Sequence, residues 1–73
     1  MSKLPALTPR KVEKKLKNLG FILDHQTGSH RVYYNSETKR RAVVPFYLKD
    51  LKPGTLSSIL READISRDEF IKA

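Results

Sequence analysis

Cysteine is missing from the chain, which excludes a disulfide framework and a thiolate metal site and removes any tie to an oxidising compartment. A cytosolic protein is therefore expected. Histidine is scarce: His25 and His30 are the only two, and no carboxylate pair stands at ligand spacing from them. No metal and no cofactor are expected on that basis. Long apolar runs are lacking too. The opening Met1-Ser2-Lys3-Leu4-Pro5 leads into a polar helix instead of the apolar stretch of about 7–15 residues that a leader needs, and no later segment approaches membrane-spanning length. Neither export nor membrane insertion is predicted.

Acidic residues are rare in one half only. Residues 1–41 hold 10 Lys/Arg against 3 Asp/Glu, whereas residues 42–73 hold 5 of each, so the net charge of +7 lies in the first half. A basic excess of this kind points to a polyanion, because each Lys or Arg that meets a phosphate releases counterions. The plainer reading is a solvated basic surface. With 73 residues, 38% hydrophobic and 32% charged, the chain makes a single domain spanning 1–73 with a small core. A partner that binds only the folded form would add stability.

Thr8-Pro9 has the form of an N-cap followed by proline at the first helical position. A helix over about 8–19 follows, with Val12, Leu16 and Leu19 as its apolar stripe, Arg10, Lys11, Lys14, Lys15 and Lys17 on its other faces, and Gly20 as a left-handed cap. Phe21 to Gln26 alternates roughly apolar and polar, as a half-buried strand does. Gly28-Ser29 permits a tight turn into a second strand, His30 to Tyr34. After the turn-forming Asn35 to Lys39, Arg40 to Val44 gives a third strand that Pro45 ends. Short connections favour an antiparallel meander.

Beyond a linker at about 46–52, Pro53 opens a second helix whose Leu56, Ile59, Leu60 and Ala63 are core. Ser66 and Glu69 make a capping box and Ile65 and Phe70 a hydrophobic staple, so a short third helix closes the chain. The fold class is α+β: an α-β-β-β-α order with helices on one face of a three-stranded antiparallel sheet. That order matches the double-stranded-RNA-binding-domain (dsRBD) architecture, and fold alone does not settle function.

Gly28-Ser29-His30 is the segment richest in chemistry. It sets an imidazole just after a flexible turn, beside Arg31 and, on this reading, close to the basic third strand. Histidine suits proton transfer near neutral pH, where one ring can accept a proton from an attacking hydroxyl or donate one to a leaving oxygen. The plain alternative is a strand-edge histidine with ordinary hydrogen bonds. His25 reads as a solvent-facing strand residue. Tyr33 and Tyr34 offer rings for unpaired bases, although one of two adjacent strand tyrosines normally packs inward. Alternation puts His30, Val32 and Tyr34 on one side and Arg31 and Tyr33 on the other, and leaves open which side is buried. Gly54 and Thr55 expose backbone N–H groups at a helix start, which suits an anion as well as it suits helix initiation.

Three stretches together resemble a known family: Leu19-Gly20-Phe21, Gly28-Ser29-His30, and Val44-Pro45 followed by Leu51-Lys52-Pro53-Gly54-Thr55-Leu56-Ser57-Ser58-Ile59-Leu60. They are similar to HicA-type mRNA interferase toxins along nearly the whole chain. The resemblance implies a dsRBD-like fold, metal-independent cleavage of mRNA with His30 as the essential residue, and neutralisation by a HicB-type antitoxin. Many members carry a further histidine two residues after the Val-Pro proline, where this chain has Tyr47. The second proton-transfer role then falls to Tyr47, a lysine, an arginine or water. Asp64 stands where the family tends to have glycine.

The mechanism expected from these residues is that His30 helps a ribose 2′-OH attack the adjacent phosphorus. Arg31, Lys39, Arg40 or Arg41 would stabilise the phosphate charge, with Gly28, Ser29, Lys11 and Lys14 completing the RNA-binding set. The 2′-OH is the internal nucleophile, so DNA would be bound but not cut. Two rival readings are a non-catalytic dsRBD-like RNA-binding module and a protein-interaction module whose basic surface serves an acidic partner.

Overall fold

In the computed structural model, which describes residues 4–73, the chain runs α1 (Pro9–Asn18), β1 (Ile22–Thr27), β2 (His30–Asn35), β3 (Arg40–Pro45), α2 (Pro53–Glu62) and α3 (Arg67–Lys72). Residues 1–3, which entered the reading against a leader, lie outside the described residues. The α-β-β-β-α order and the short C-terminal helix are those the sequence predicts.

Local chemistry sets the helix ends. Thr8 caps α1 by accepting the Lys11 N–H at 3.3 Å, and Pro9 occupies the first turn. At the other end, Phe21 N–H bonds the Leu16 carbonyl at 2.9 Å and Gly20 N–H bonds that of Lys17 at 3.1 Å. Gly20 sits at φ +95°, so this is a Schellman cap. The same pair of bonds closes α2, from Ile65 to Leu60 (2.9 Å) and from Asp64 to Arg61 (3.2 Å). Here the left-handed residue is Asp64, at φ +57°. Ser66 and Glu69 form the expected reciprocal capping box at the start of α3. Lys15 of α1 donates to the carbonyls of Phe70 and Ile71, at 3.3 and 3.2 Å, and so caps α3 from across the core.

The sheet is an antiparallel meander in the order β1-β2-β3. Gly28, at φ +59°, opens the two-residue turn that joins the paired Thr27 and His30. Burial decides which side the helices cover: Tyr33 and Asn35 are buried while His30 is exposed. Arg31, Tyr33 and Asn35 therefore share the covered face with Ala42 and Val44, and His30, Val32 and Tyr34 share the open one. Tyr33, Leu16, Val12, Leu56 and Phe70 make the centre of the core. Asn35 is satisfied inside it, with Nδ2 donating to the Leu19 carbonyl at 3.2 Å and Oδ1 accepting from Glu37 N–H at 2.9 Å.

One sequence expectation about the sheet needs correction. The first strand is not half-buried: all six residues of β1 are exposed, because the helices pack over the β3 side of the sheet and leave β1 as an uncovered edge. Phe21, one residue earlier, is the part that enters the core. The linker at 46–52 carries no helix or strand, as expected, and is tied to the amino-terminal side of α1. Leu51 is buried and exchanges two backbone hydrogen bonds with Leu7, at 3.1 and 2.7 Å.

Candidate active site

His30 opens β2 and pairs with Pro45 at the end of β3. Phe46 N–H donates to the Ser29 carbonyl at 2.7 Å, which carries the ladder one step past the strand and fixes the following turn beside the histidine. Tyr47, on that turn, meets His30 edge-on with ring centroids 5.5 Å apart. Sequence reasoning named this pair and the structure brings it together.

A hollow of about 320 Å³ opens beside the two rings. Val43, Pro45, Leu48 and Ile59 line it with apolar groups, and Thr55, Ser58 and Glu62 of α2 line it with polar ones. These last three residues stand at i, i+3 and i+7, so they make one stripe along the flank of α2, next to the core stripe of Leu56 and Leu60. Sequence reasoning weighed the backbone N–H of Thr55 as an anion site and missed Ser58 and Glu62. The available signal was this polar stripe running beside an apolar one, which marks a helix lying at the margin of a sheet. Thr55 is in the first turn of α2, where unpaired backbone N–H groups and the helix dipole favour an anion.

Arg31, adjacent to His30 in sequence, faces the other way. Its guanidinium donates to Glu13 of α1 at 3.0 Å and lies 4.1 Å from the centre of the Phe46 ring. The Tyr33 hydroxyl also donates to Glu13. These contacts hold the Glu13 carboxyl below its usual value, the Tyr33 bond being the largest cause and the Arg31 bond adding to it against the effect of burial. Burial, reinforced by the Glu13 carboxylate, raises the Tyr33 phenol. Arg31 thus joins α1 to the sheet and does not reach the hollow by its present contacts.

The remaining basic residues also stand apart from His30. Arg40 pairs with Asn35 and Arg41 with Tyr34, so the basic end of β3 lies about 14–17 Å along the sheet from His30, not close to it. An antiparallel register sends the start of β3 to the end of β2, which is the physical reason. Arg41 lies 5.0 Å from the Tyr34 ring centre and Arg40 pairs with Asp64 at 3.8 Å. Lys39 adopts φ +63° in the β2–β3 turn. Lys11 and Lys14 are exposed on α1, on the helix side of the sheet, where they line a separate hollow of about 300 Å³. Gly28 and Ser29 form the exposed turn before His30.

His25 is exposed on β1 and donates Nδ1 to Asp24 at 2.7 Å, a bond that is the main cause of the lowered Asp24 carboxyl. Among the described residues no three His, Asp or Glu side chains cluster as a metal site would need, and no helix is long and apolar enough to cross a membrane.

The sequence model of the HicA toxin of bacterial toxin-antitoxin systems matches residues 9–65. The chain belongs to the HicA toxin family. The match runs from the start of α1 to the cap of α2 and takes in every residue that lines the hollow. A HicA toxin acts within a toxin-antitoxin system, so an antitoxin is its partner. None of the curated proteins compared matches the chain.

Proposed function

We propose that this HicA toxin is a metal-independent endoribonuclease that cleaves mRNA in the cytoplasm, with His30 as its catalytic acid/base. The observation that carries the reading is the position of His30, exposed in a nucleotide-sized hollow on a chain of this family. The reaction needs no metal because the ribose 2′-OH supplies the nucleophile, and the side chains have only to move protons and steady the phosphate charge. Thr55, Ser58 and the first turn of α2 supply that stabilisation in the hollow. Lys39, Arg40 and Arg41 then hold the RNA farther along the strand, and Lys11 and Lys14 add to the basic field that draws it in.

A HicB-type antitoxin silences the toxin most simply by covering the hollow, so antitoxin and RNA compete. The deciding experiment incubates the purified chain and its His30→Ala form with a long single-stranded RNA in the presence of a chelator. Cleavage by the unmutated chain alone supports the reading. Binding without cleavage by both forms overturns it in favour of an RNA-binding module.

A further inference from the structure

An in-line displacement at phosphorus has the attacking 2′-oxygen and the leaving 5′-oxygen on opposite sides of the phosphate, so it uses two proton-transfer groups that face each other. Among the described residues that line the hollow, three carry an ionisable side chain: His30, Tyr47 and Glu62. Tyr47 packs edge-on against His30. Glu62 lines the same hollow from a different element, as the last residue of α2. Among the described residues no lysine or arginine lines the hollow. Glu13, Asp24 and Asp64 each hold a cationic or imidazole partner, whereas Glu62 is exposed and makes no hydrogen bond or ion pair among the described residues.

We propose that Glu62 is the second proton-transfer residue of this chain, the counterpart of His30 across the scissile phosphate. The inference rests on the ribonuclease reading. Glu62 takes the proton from the 2′-hydroxyl as the O2′–P bond forms. The P–O5′ bond breaks as O5′ accepts a proton from the His30 imidazolium. The products are a 2′,3′-cyclic phosphate and a 5′-hydroxyl, with Glu62 one proton richer and His30 one poorer until solvent exchange resets both.

The test compares the unmutated chain with Glu62→Gln, Glu62→Asp, Glu37→Gln and His30→Ala on two substrates. One is a dinucleotide; the other is a nucleoside 3′-(4-nitrophenyl phosphate), whose leaving group departs without a proton. Glu62→Gln is expected to lower kcat by about 10²–10³ on both, with KM little changed, and to remove the acid limb of the pH profile. Glu62→Asp restores part of the rate, and Glu37→Gln, which removes the same charge at the far end of the sheet, changes nothing. His30→Ala loses much more on the dinucleotide than on the activated ester. Because Glu62 is exposed, its variants keep the melting temperature. A kcat for Glu62→Gln within threefold of the unmutated chain overturns the inference, as does an effect confined to tighter RNA binding from the lost negative charge. If cleavage depends on His30 and ignores Glu62, the inference alone fails. If the unmutated chain cuts neither substrate, the ribonuclease reading fails and takes the inference with it.

Discussion

The two faces of β2 differ in how their polar groups are partnered. On the covered face, Arg31, Tyr33 and Asn35 bond to Glu13, Leu19 and the β2–β3 turn, and among the described residues the Arg31 Nε is left buried without a partner. On the open face His30 has a ring neighbour and no hydrogen-bond partner among the described residues. A polar side chain whose bonds are met inside the protein stabilises the fold. One left facing solvent is available to a ligand.

Substitutions on the two faces should separate these roles. Tyr33→Ala removes a fully buried ring together with a bond to Glu13, and we expect it to cost about 3–5 kcal/mol, most of the stability of a domain this small. Denaturant titration checks it; a loss under about 1 kcal/mol would mean the covered face is not the cohesive one. His30→Ala, three residues away, should lower RNA cleavage by roughly 10²–10⁴-fold while unfolding shifts by no more than about 0.5 kcal/mol. A large drop in melting temperature would assign His30 to the fold instead.

Glu13→Gln sharpens the comparison through pH. Because the Glu13 carboxyl is lowered in the folded chain, its contribution is fully present above the ordinary carboxylate range and is lost as pH falls through the lowered value. The variant should be less stable by about 1–2 kcal/mol at pH 7, and the gap should close in acid. A gap that is constant with pH would refute the assignment. The smallest effect concerns the two Schellman caps, one built on Gly20 and the other on Asp64. Asp64→Gly should stabilise by about 0.5–1 kcal/mol, since glycine takes positive φ freely and an acid at a helix C-terminus opposes the dipole. The exposed pairing with Arg40 offsets little of that gain.

Much of the fold was written in local chemistry. Thr8-Pro9, Gly20, the Gly28-Ser29 turn and the Ser66/Glu69 box each act within four residues, and each stands where sequence reading put it. Strand parity was legible too, but not which parity is buried, because Tyr33 and Tyr34 offer similar rings to either side. That choice depends on where the helices land. The exposed β1 has the same cause: the rough apolar–polar alternation from Phe21 to Gln26 cannot reveal that the helices pack over β3 instead, and the bulge between Leu23 and His25 breaks the pattern. At the candidate site, His30 and Tyr47 came from the family motif. Glu62 did not, since it lies 32 residues from His30 and joins it only through the packing of α2 beside β3.

The bridge between Leu7 and Leu51 has a bearing on how the site opens. It fastens the segment before α2 to the start of the chain, while Phe46 is fastened to Ser29. The turn that carries Tyr47 is therefore a loop held at both ends, one end on the sheet and the other on the amino-terminal segment. Loosening the segment before α1 releases one of those ends. The amides of Leu7, Phe46 and Leu51 are therefore expected to exchange with solvent as a group.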